Sequence, residues 1–377
     1  MSNKGRKLKV KKERKLLFTF TLCSLVFLCT MIFSLYKMIE VSRSSKNMDS
    51  SEGNILLKNR ESNKDSLSKV KDVNETIIKI SAVGDCTLGS DTDDRGNSFT
   101  SVYNKKDDPS YFFSGVKNIL SSDSLTIANL EGPLTTRGEK SSKRFSFRGS
   151  PEYTKILTTG SVEAVNLANN HSMDYGQIAY DDTKKYLKGD GIEYFGNNEK
   201  SIIEKNGIKI GLLGYKGWSS SNQIKKNIEL EIKRLKSEVN LIIVSFHWGD
   251  ERAKTPNNIQ KSLGKLAIDS GADLVLGHHP HVIQGIEEYN GKYIVYSLGN
   301  FSFGGNTNPK DKDSFIYQQS FKFDSSKKNI KIETPLTIPV SISSSEGSND
   351  YRPYILEGEE KSRVLKKIEE RSKIINY

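Results

Sequence analysis

The feature that most constrains the fold is a short apolar run that ends in a cluster of histidines. Leu274–Leu276 consists of branched aliphatic residues, which is typical of a buried strand. The run stops at Gly277, and three of the next four residues are His278, His279 and His281. Imidazole is the commonest metal ligand in proteins, so a strand that ends in three of them predicts a ligand site at the carboxyl edge of a sheet.

The other two of the chain's five histidines stand in similar positions. His171 comes shortly after the apolar segment that begins at Val165, and His247 ends the run that begins at Leu241. Histidines that all follow strands indicate one shared site, because several rigid elements must converge to hold a metal. The alternative is a histidine-containing turn beside two unrelated histidines, and these positions alone leave it open.

Two carboxylates and one amide extend this pattern. Asp85 and Glu131 each follow a β-rich apolar run, and Asn170 directly precedes His171. Carboxylate, imidazole and amide ligands suit Mn, Zn or Fe better than Mg or Ca. A divalent metal held by such groups activates water for hydrolysis, most simply of phosphoesters.

Strands and helices alternate from Ile77 onwards, which predicts an α/β fold for residues 77–377. A charged helix over Glu359–Ile375 is expected to dock on this domain through Val364, Leu365 and Ile368. Further helices are predicted at Tyr111–Leu120, Gln177–Leu187, Ile228–Leu235 and Ile259–Ser270.

The N-terminus combines a basic flank with a long uncharged run. Residues 1–15 carry eight Lys or Arg and one Glu, which supply +7 of the formal net charge of +11. Leu16–Tyr36 has no charged residue, and a helix of that length spans about 30 Å of hydrocarbon. Positive charge before such a helix keeps the N-terminus cytoplasmic. The sequence therefore predicts a basic cytoplasmic tail, a single-pass transmembrane anchor at residues 16–36 and an extracellular C-terminal domain at the cell membrane.

A cleavable signal peptide is the alternative to the anchor, although its apolar core usually has only about 7–15 residues. Residues 37–76 are rich in Ser, Asn, Lys and Asp and are expected to form a flexible stalk. Because most of the positive charge flanks the anchor, no nucleic-acid partner is predicted. Only Cys86 lies beyond the anchor, so no intrachain disulfide is expected outside the membrane.

Six ordered motifs run through the predicted domain. They are Gly84-Asp85, Asn129–Glu131, Asn169–Gly176, His247–Gly249, Gly277–Val282 and Ser297–Phe301. Together they resemble the CapA-type poly-γ-glutamate capsule-synthesis proteins, which are related to the calcineurin-like metallophosphoesterases. The resemblance extends from about Ile77 to the C-terminal helix. It implies a two-sheet αββα sandwich and a role in making or anchoring an anionic surface polymer, with capsule-synthesis membrane subunits as partners.

The resemblance also implies roles for single residues. Asp85 and His281 would bind a first metal, and Glu131 would bridge it to a second metal. His171 would act as general acid or stabilise the transition state. The remaining ligands of the second metal would be Asn170, His247 and His279.

Thr87 departs from the pattern of the related phosphoesterases, which have a histidine two residues after the aspartate. The first metal loses that ligand, so one tight site and a second, weak or empty one are expected. The ordinary phosphatase activity of the superfamily is accordingly in question. His278 lies outside the pair His279 and His281 and is not expected to be a ligand.

Several residues near the motifs allow two interpretations. Asp174 either orients His171 or caps the following helix. Arg148 either binds a substrate carboxylate or phosphate or forms a structural ion pair. Cys86 is expected to be a core residue rather than a reactive thiol, and Trp248 to pack beneath the His247 loop rather than form a substrate platform. Asp174 and Arg148 are therefore candidate catalytic residues beside His171.

Three functions are compatible with this sequence. The first is a membrane-anchored, metal-binding hydrolase-like protein of poly-γ-glutamate or related capsule synthesis. The second is a non-catalytic assembly or export subunit with a structural metal. The third is an exported metal-dependent phosphoesterase, which the loss of a histidine at Thr87 makes less favourable than the second.

We expect Leu16–Tyr36 to remain in the mature protein, because its apolar run exceeds the length of a signal-peptide core. Mass spectrometry of the membrane fraction should recover peptides that precede Leu16. Cys23 and Cys29 should react with a thiol reagent only after detergent extraction. A mature N-terminus beyond Tyr36 would instead identify a cleaved signal peptide and a secreted protein.

Overall fold

A computed structural model of the chain describes residues 75–91 and 96–376, which form two β-sheets flanked by helices. The predicted cytoplasmic tail, the anchor and nearly all of the stalk lie outside the described residues. Within the described ranges, no helix has the length and apolar character needed to cross a membrane.

The first sheet is mixed. With strands numbered along the chain, its order is β15-β14-β12-β1-β2-β3-β4, while β11 pairs with the end of β1 and β13 with β12. Strands β1 to β4 are parallel, and β12 is antiparallel to β1. The strands are β1 (Thr76–Thr87), β2 (Leu125–Leu130), β3 (Ala164–Asn166), β4 (Glu193–Phe195), β11 (Asn300–Phe303), β12 (Asp313–Phe323), β13 (Ile330–Ile332), β14 (Leu336–Ser341) and β15 (Tyr354–Ile355).

The second sheet has the order β5-β6-β7-β8-β10-β9. Its central strands β6, β7, β8 and β10 are parallel, and the two edge strands are antiparallel to their neighbours. The strands are β5 (Ser201–Lys205), β6 (Ile208–Gly217), β7 (Leu241–Trp248), β8 (Leu274–His278), β9 (Ile286–Tyr289) and β10 (Lys292–Val295).

Seven α-helices are present among the described residues, with short 3₁₀ turns at Pro109–Phe113, Pro151–Tyr153 and Ile374–Asn376. The helices are α1 (Phe99–Lys106), α2 (Lys117–Leu120), α3 (Thr154–Thr159), α4 (Gly176–Gly189), α5 (Asn222–Lys236), α6 (Asn258–Ser270) and α7 (Gly358–Lys373).

The predicted helix over Tyr111–Leu120 is wrong as a continuous element. The chain forms a 3₁₀ turn and then the single turn of α2, with Gly115 between them. Gly115 bridges to Tyr354 in β15, and a Cβ at this position would lie 2.4 Å from the Pro353 carbonyl oxygen. This close backbone approach interrupts the helix that the residue pattern favours.

Three apolar cores give the αββα layering. The central core lies between the two sheets and contains the inward side chains of β1, β2, β6, β7 and β8. A second core lies between the first sheet and α1 to α4, and a third between the second sheet and α5 and α6. The two-sheet α/β architecture that the sequence predicts is therefore present.

Helix α7 closes one edge of the sandwich. Val364 and Ile368 are buried and belong to the core between the sheets, while Leu365 is half-buried. On the polar side, Arg363 pairs with Asp313 of β12 at 2.6 Å. The predicted docking of this helix through its apolar face is confirmed.

The alternation of side chains along the strands places polar residues next to the central core, at the carboxyl ends of the strands. Leu125 and Ile127 of β2 point into the core, and Asn129 follows them in the same row. In β7, Ile243 points inward and His247 continues the row at the carboxyl end. Because side chains alternate with a period of two, the residues that end each inward row must face the space between the sheets.

Truncating the buried face of α7 should destabilise the domain. Ile368→Ala removes a side chain that is 5% exposed and packed between the sheets, so it should lower the free energy of unfolding by about 2–5 kcal/mol in urea titrations. Lys366→Ala, on the exposed face of the same helix, should change it by less than about 0.5 kcal/mol. Equal effects would contradict the docking of α7.

Candidate metal centre

The candidate site lies where the carboxyl ends of both sheets meet. Asp85 near the end of β1 and Glu131 directly after β2 come from the first sheet, and His247 of β7 comes from the second. All three side chains are completely buried. Open α/β sheets bind ligands at this end of their strands.

Glu131 is at the centre of the site, and neither of its carboxylate oxygens has a hydrogen-bond partner. The nearest cationic or imidazole groups are His247 Nε2 at 3.4 Å and His281 Nε2 at 3.9 Å from Oε1. A buried carboxylate without donors is costly unless it is paired or coordinates a metal. Glu131 therefore has the environment of a metal ligand.

Two groups of side chains share this carboxylate. Glu131 forms one group with His247 and His279 and another with Asp85 and His281. Within each group the ligand atoms lie within 4.8 Å of one another. The Nδ1 atom of His279 is also buried without a hydrogen-bond partner. These buried imidazoles and carboxylates could hold a metal ion.

Asn170 joins the group around His247. Its Oδ1 atom lies 2.7 Å from His247 Nε2, the same nitrogen that faces Glu131. The structure thus brings together all six residues predicted from the sequence as metal ligands. These residues are Asp85, Glu131, Asn170, His247, His279 and His281.

A network of asparagine side chains holds Asp85, a candidate ligand from the first sheet, in place. Asn129 Nδ2 donates to Asp85 Oδ1 at 2.9 Å, and Asn129 Oδ1 accepts hydrogen bonds from Asn166 and Asn169. All four side chains are buried. Sequence reasoning did not assign a role to these asparagines, although Asn129 and Asn169 lie in the recognised motifs.

The loop after β8 places its histidines with an unusual backbone. His279 and His281 have φ angles of 96° and 57°, a region that non-glycine residues rarely occupy. The His279 amide donates to Asp85 Oδ2 at 3.2 Å, and the Pro280 carbonyl accepts from the Arg252 amide. Such backbone strain persists only where surrounding contacts hold it, and it concentrates at functional sites.

Opposite charges stabilise the group around Asp85. Burial acts to raise the pKa of Asp85, but the adjacent His278 and His281 hold it well below its usual range. Burial likewise opposes ionisation of Glu131, whose pKa is lowered chiefly by His281. In return, Glu131 and Asp85 overcome the burial of His281 and raise its pKa to about 9.

The imidazoles of the group around His247 have lowered pKa values instead. Burial lowers the pKa of His247, and it lowers that of His279 to about 3. Both rings are therefore neutral at physiological pH, which is the form of imidazole that binds metals.

His171 lies at the side of the centre and is oriented by Asp174. Its Nδ1 atom is 2.6 Å from Asp174 Oδ2, and its ring packs 4.5 Å from that of Phe147. Asp174 is buried and also accepts from the Phe147 amide and from Lys143. Helix α4 begins after Tyr175 and has no side-chain cap, so Asp174 orients His171 and does not cap the helix.

The other predicted residues have clear positions. Arg148 places its guanidinium 4.4 Å from the centre of the Tyr175 ring, so its catalytic role stays a prediction. Cys86 is a core residue, and burial raises the pKa of its thiol to about 12. Trp248 is fully buried and stacks on Phe246, which confirms packing and excludes a substrate platform.

His278 and Thr87 remain beside the centre. His278 Nδ1 lies 3.4 Å from Asp85 Oδ1, but the residue belongs to neither ligand group. The Thr87 hydroxyl is buried and has no hydrogen-bond partner. Thr87 is the last residue of β1.

Two contributions to the site were not predicted. Asn300 Oδ1 lies 2.9 Å from His281 Nδ1 and fixes that ring, and its place in the motif Ser297–Phe301 was the available signal. Trp218 follows β6 and is 43% exposed, with its ring edge-on to His279 at a centroid distance of 4.6 Å. No pattern in the sequence distinguishes it from the buried Trp248.

Comparison with known proteins agrees with these motifs. Residues 79–305 match the model of the bacterial capsule synthesis protein PGA_cap family. The chain is 29% identical over 276 residues to the PGA biosynthesis protein CapA of Bacillus subtilis (strain 168), a match that covers 67% of this chain and 70% of that protein. It is 28% identical over 275 residues to the capsule biosynthesis protein CapA of Bacillus anthracis, covering 66% of this chain and 65% of that protein.

Among solved structures, a novel phosphatase from Mycoplasma pneumoniae aligns with a TM-score of 0.45 and 17% identity, over 73% of this chain and 96% of that one. The family model, by contrast, matches more than half of the chain and spans every ligand of the candidate centre. The chain therefore belongs to the PGA_cap family of bacterial capsule synthesis proteins.

Proposed function

We propose that this protein is a membrane-anchored, metal-dependent hydrolase-like component of the synthesis or anchoring of poly-γ-glutamate or a related anionic capsule polymer. The observation that carries the proposal is the buried Glu131 carboxylate, whose two oxygens have no hydrogen-bond partner and which two groups of ligands share. Such a carboxylate is suited to bridging two positions of a metal centre.

Each group would contribute differently to metal binding. Glu131, Asn170, His247 and His279 provide four protein ligands, enough for a nearly closed shell around Mn, Zn or Fe. The other metal position, beside Asp85, has only Asp85, His281 and the shared Glu131 carboxylate as ligands. We therefore expect one tightly bound metal and a second that is weak or absent.

A divalent ion held by Glu131, Asn170, His247 and His279 would supply Lewis acidity towards a phosphoryl or carbonyl oxygen. The chain's own residues do the rest. His171 is held by Asp174 with its Nε2 atom free to transfer a proton to a leaving group. The Phe147 ring covers one side of His171 and excludes water from it. This arrangement favours hydrolysis over a purely structural metal, because a structural site needs no oriented proton donor.

A non-catalytic assembly or export subunit is the second candidate. Thr87 favours it, since the missing histidine removes one ligand from the centre and leaves a buried hydroxyl without a partner. In either case we expect the polymer as ligand, membrane subunits of the capsule machinery as partners and an extracellular domain held by the N-terminal helix. The third candidate, an exported phosphoesterase without a capsule role, is the least favoured by Thr87.

The deciding experiment combines metal analysis with two activity assays. The purified full-length protein should contain a transition metal and should hydrolyse γ-glutamyl amides or phosphoesters in a metal-dependent way. Metal without activity on either substrate class would favour the assembly subunit. A protein that neither retains nor binds a divalent metal would contradict both candidates.

Removing a ligand of the tight position should remove its metal. His247→Ala and His279→Ala should each lower metal content, measured by elemental analysis after dialysis, by at least about tenfold while the protein stays folded. His278→Ala is the matched control from the same loop and should retain most of the metal. Equal loss in all three variants would show that the assignment of ligands after β8 is wrong.

Introducing the histidine of the related phosphoesterases should complete the weak metal position. Thr87→His should raise metal content from about one towards two ions per chain and increase phosphoesterase activity, because a third side chain joins Asp85 and His281. The measurement is metal stoichiometry after a chelator challenge. Two tightly held ions in the wild-type protein would contradict this prediction and require another ligand at Asp85.

A further inference from the structure

A cavity of about 550 Å³ lies beside the candidate metal centre. Its lining includes Met173, two residues after His171, and Lys216 of β6. The Cα atom of Lys216 pairs with that of His247 on the neighbouring strand. Adjacent parallel strands are about 4.8 Å apart, so the cavity begins next to the metal ligands.

Lys216 is the cation of this cavity that lacks a partner. Among the described residues it forms no hydrogen bond or ion pair, whereas the second lysine of the lining, Lys184, pairs with Glu199 at 3.1 Å. Lys216 is solvent-exposed, yet burial of part of its side chain and the nearby Lys143 lower the pKa of its ammonium group. An anion bound here would favour the charged ammonium form and offset the repulsion from Lys143.

Trp218 connects this cavity with the metal centre. It follows Lys216 by two residues, and its ring lies edge-on to both His279 and His247, with centroid distances of 4.6 and 5.8 Å. At 43% exposed, the indole is a large apolar surface at the entrance to the centre. Methylene groups of a substrate chain could pack on it between the two positions.

We propose that the cavity is a subsite for one carboxylate of the polymer substrate. Lys216 binds the carboxylate, and Trp218 supports the chain that crosses to the metal centre. The proposal rests on the proposed function, in which the polymer carries a carboxylate on every unit and methylene groups between them.

The test compares the binding of two probes by titration calorimetry to the full-length protein in detergent. One probe is a hexamer of γ-linked glutamate, and the other is the same hexamer with its carboxylates converted to amides. The wild-type protein should bind the acidic hexamer at least about tenfold more tightly, as expected for a charge-assisted hydrogen bond. Lys216→Gln should abolish most of this difference.

Lys209→Gln is the matched control, because Lys209 lies on the same strand and is exposed at its opposite end. It should bind both hexamers as the wild-type protein does, and metal content should be unchanged in all variants. Equal binding of the two hexamers by the wild-type protein, or equal affinities of Lys216→Gln and Lys209→Gln, would overturn the subsite. Displacement of the hexamer by inorganic phosphate but not by glutarate would overturn the assignment to a carboxylate.

The two proposals fail in different ways. A wild-type protein without metal or hydrolytic activity would contradict the proposed function, while a Lys216-dependent preference for the acidic hexamer would still support the subsite. A metal-containing, active protein without that preference would overturn the subsite alone.

Discussion

The burial of the Glu131 carboxylate between the two sheets is the constraint on which the rest of the site depends. A buried carboxylate without hydrogen-bond donors is unfavourable unless opposite charge compensates it. Here the compensating charge comes from His281, in the loop that follows β8 of the second sheet, while the neutral His247 ring lies 3.4 Å from the same carboxylate. The groups around Glu131 therefore come from both sheets.

The apolar core and the polar centre are formed by the same strands. Aliphatic side chains fill each inward row along most of a strand, and polar side chains replace them only at the carboxyl end. A network of asparagine side chains fixes the Asp85 carboxylate. Asn129 is bonded to Asp85 on one side and to Asn166 and Asn169 on the other. A rigid, desolvated surrounding of this kind strengthens every charge interaction inside it.

Two kinds of surroundings lie next to the centre. Asp174 and the Phe147 ring hold His171 in a buried position suited to proton transfer. Lys216 lines a cavity that begins next to His247, and the exposed Trp218 ring lies edge-on to His279. A long anionic chain needs both, since one unit must reach the reacting groups while its neighbours are held elsewhere. This asymmetry is what an enzyme or a binding subunit of polymer synthesis would require.

The sequence by itself determined the α/β class, the docking helix α7 and the identity of the residues that converge at the centre. These follow from local patterns, because a strand's period of two and a helix's period of 3.6 are properties of neighbouring residues. The tertiary structure decided that Asp174 orients His171 and that the exposed tryptophan is Trp218. It also interrupted the helix predicted over Tyr111–Leu120, where Gly115 packs against the backbone beside Tyr354. Such contacts join residues far apart in the chain, so a local sequence pattern cannot specify the distances between them.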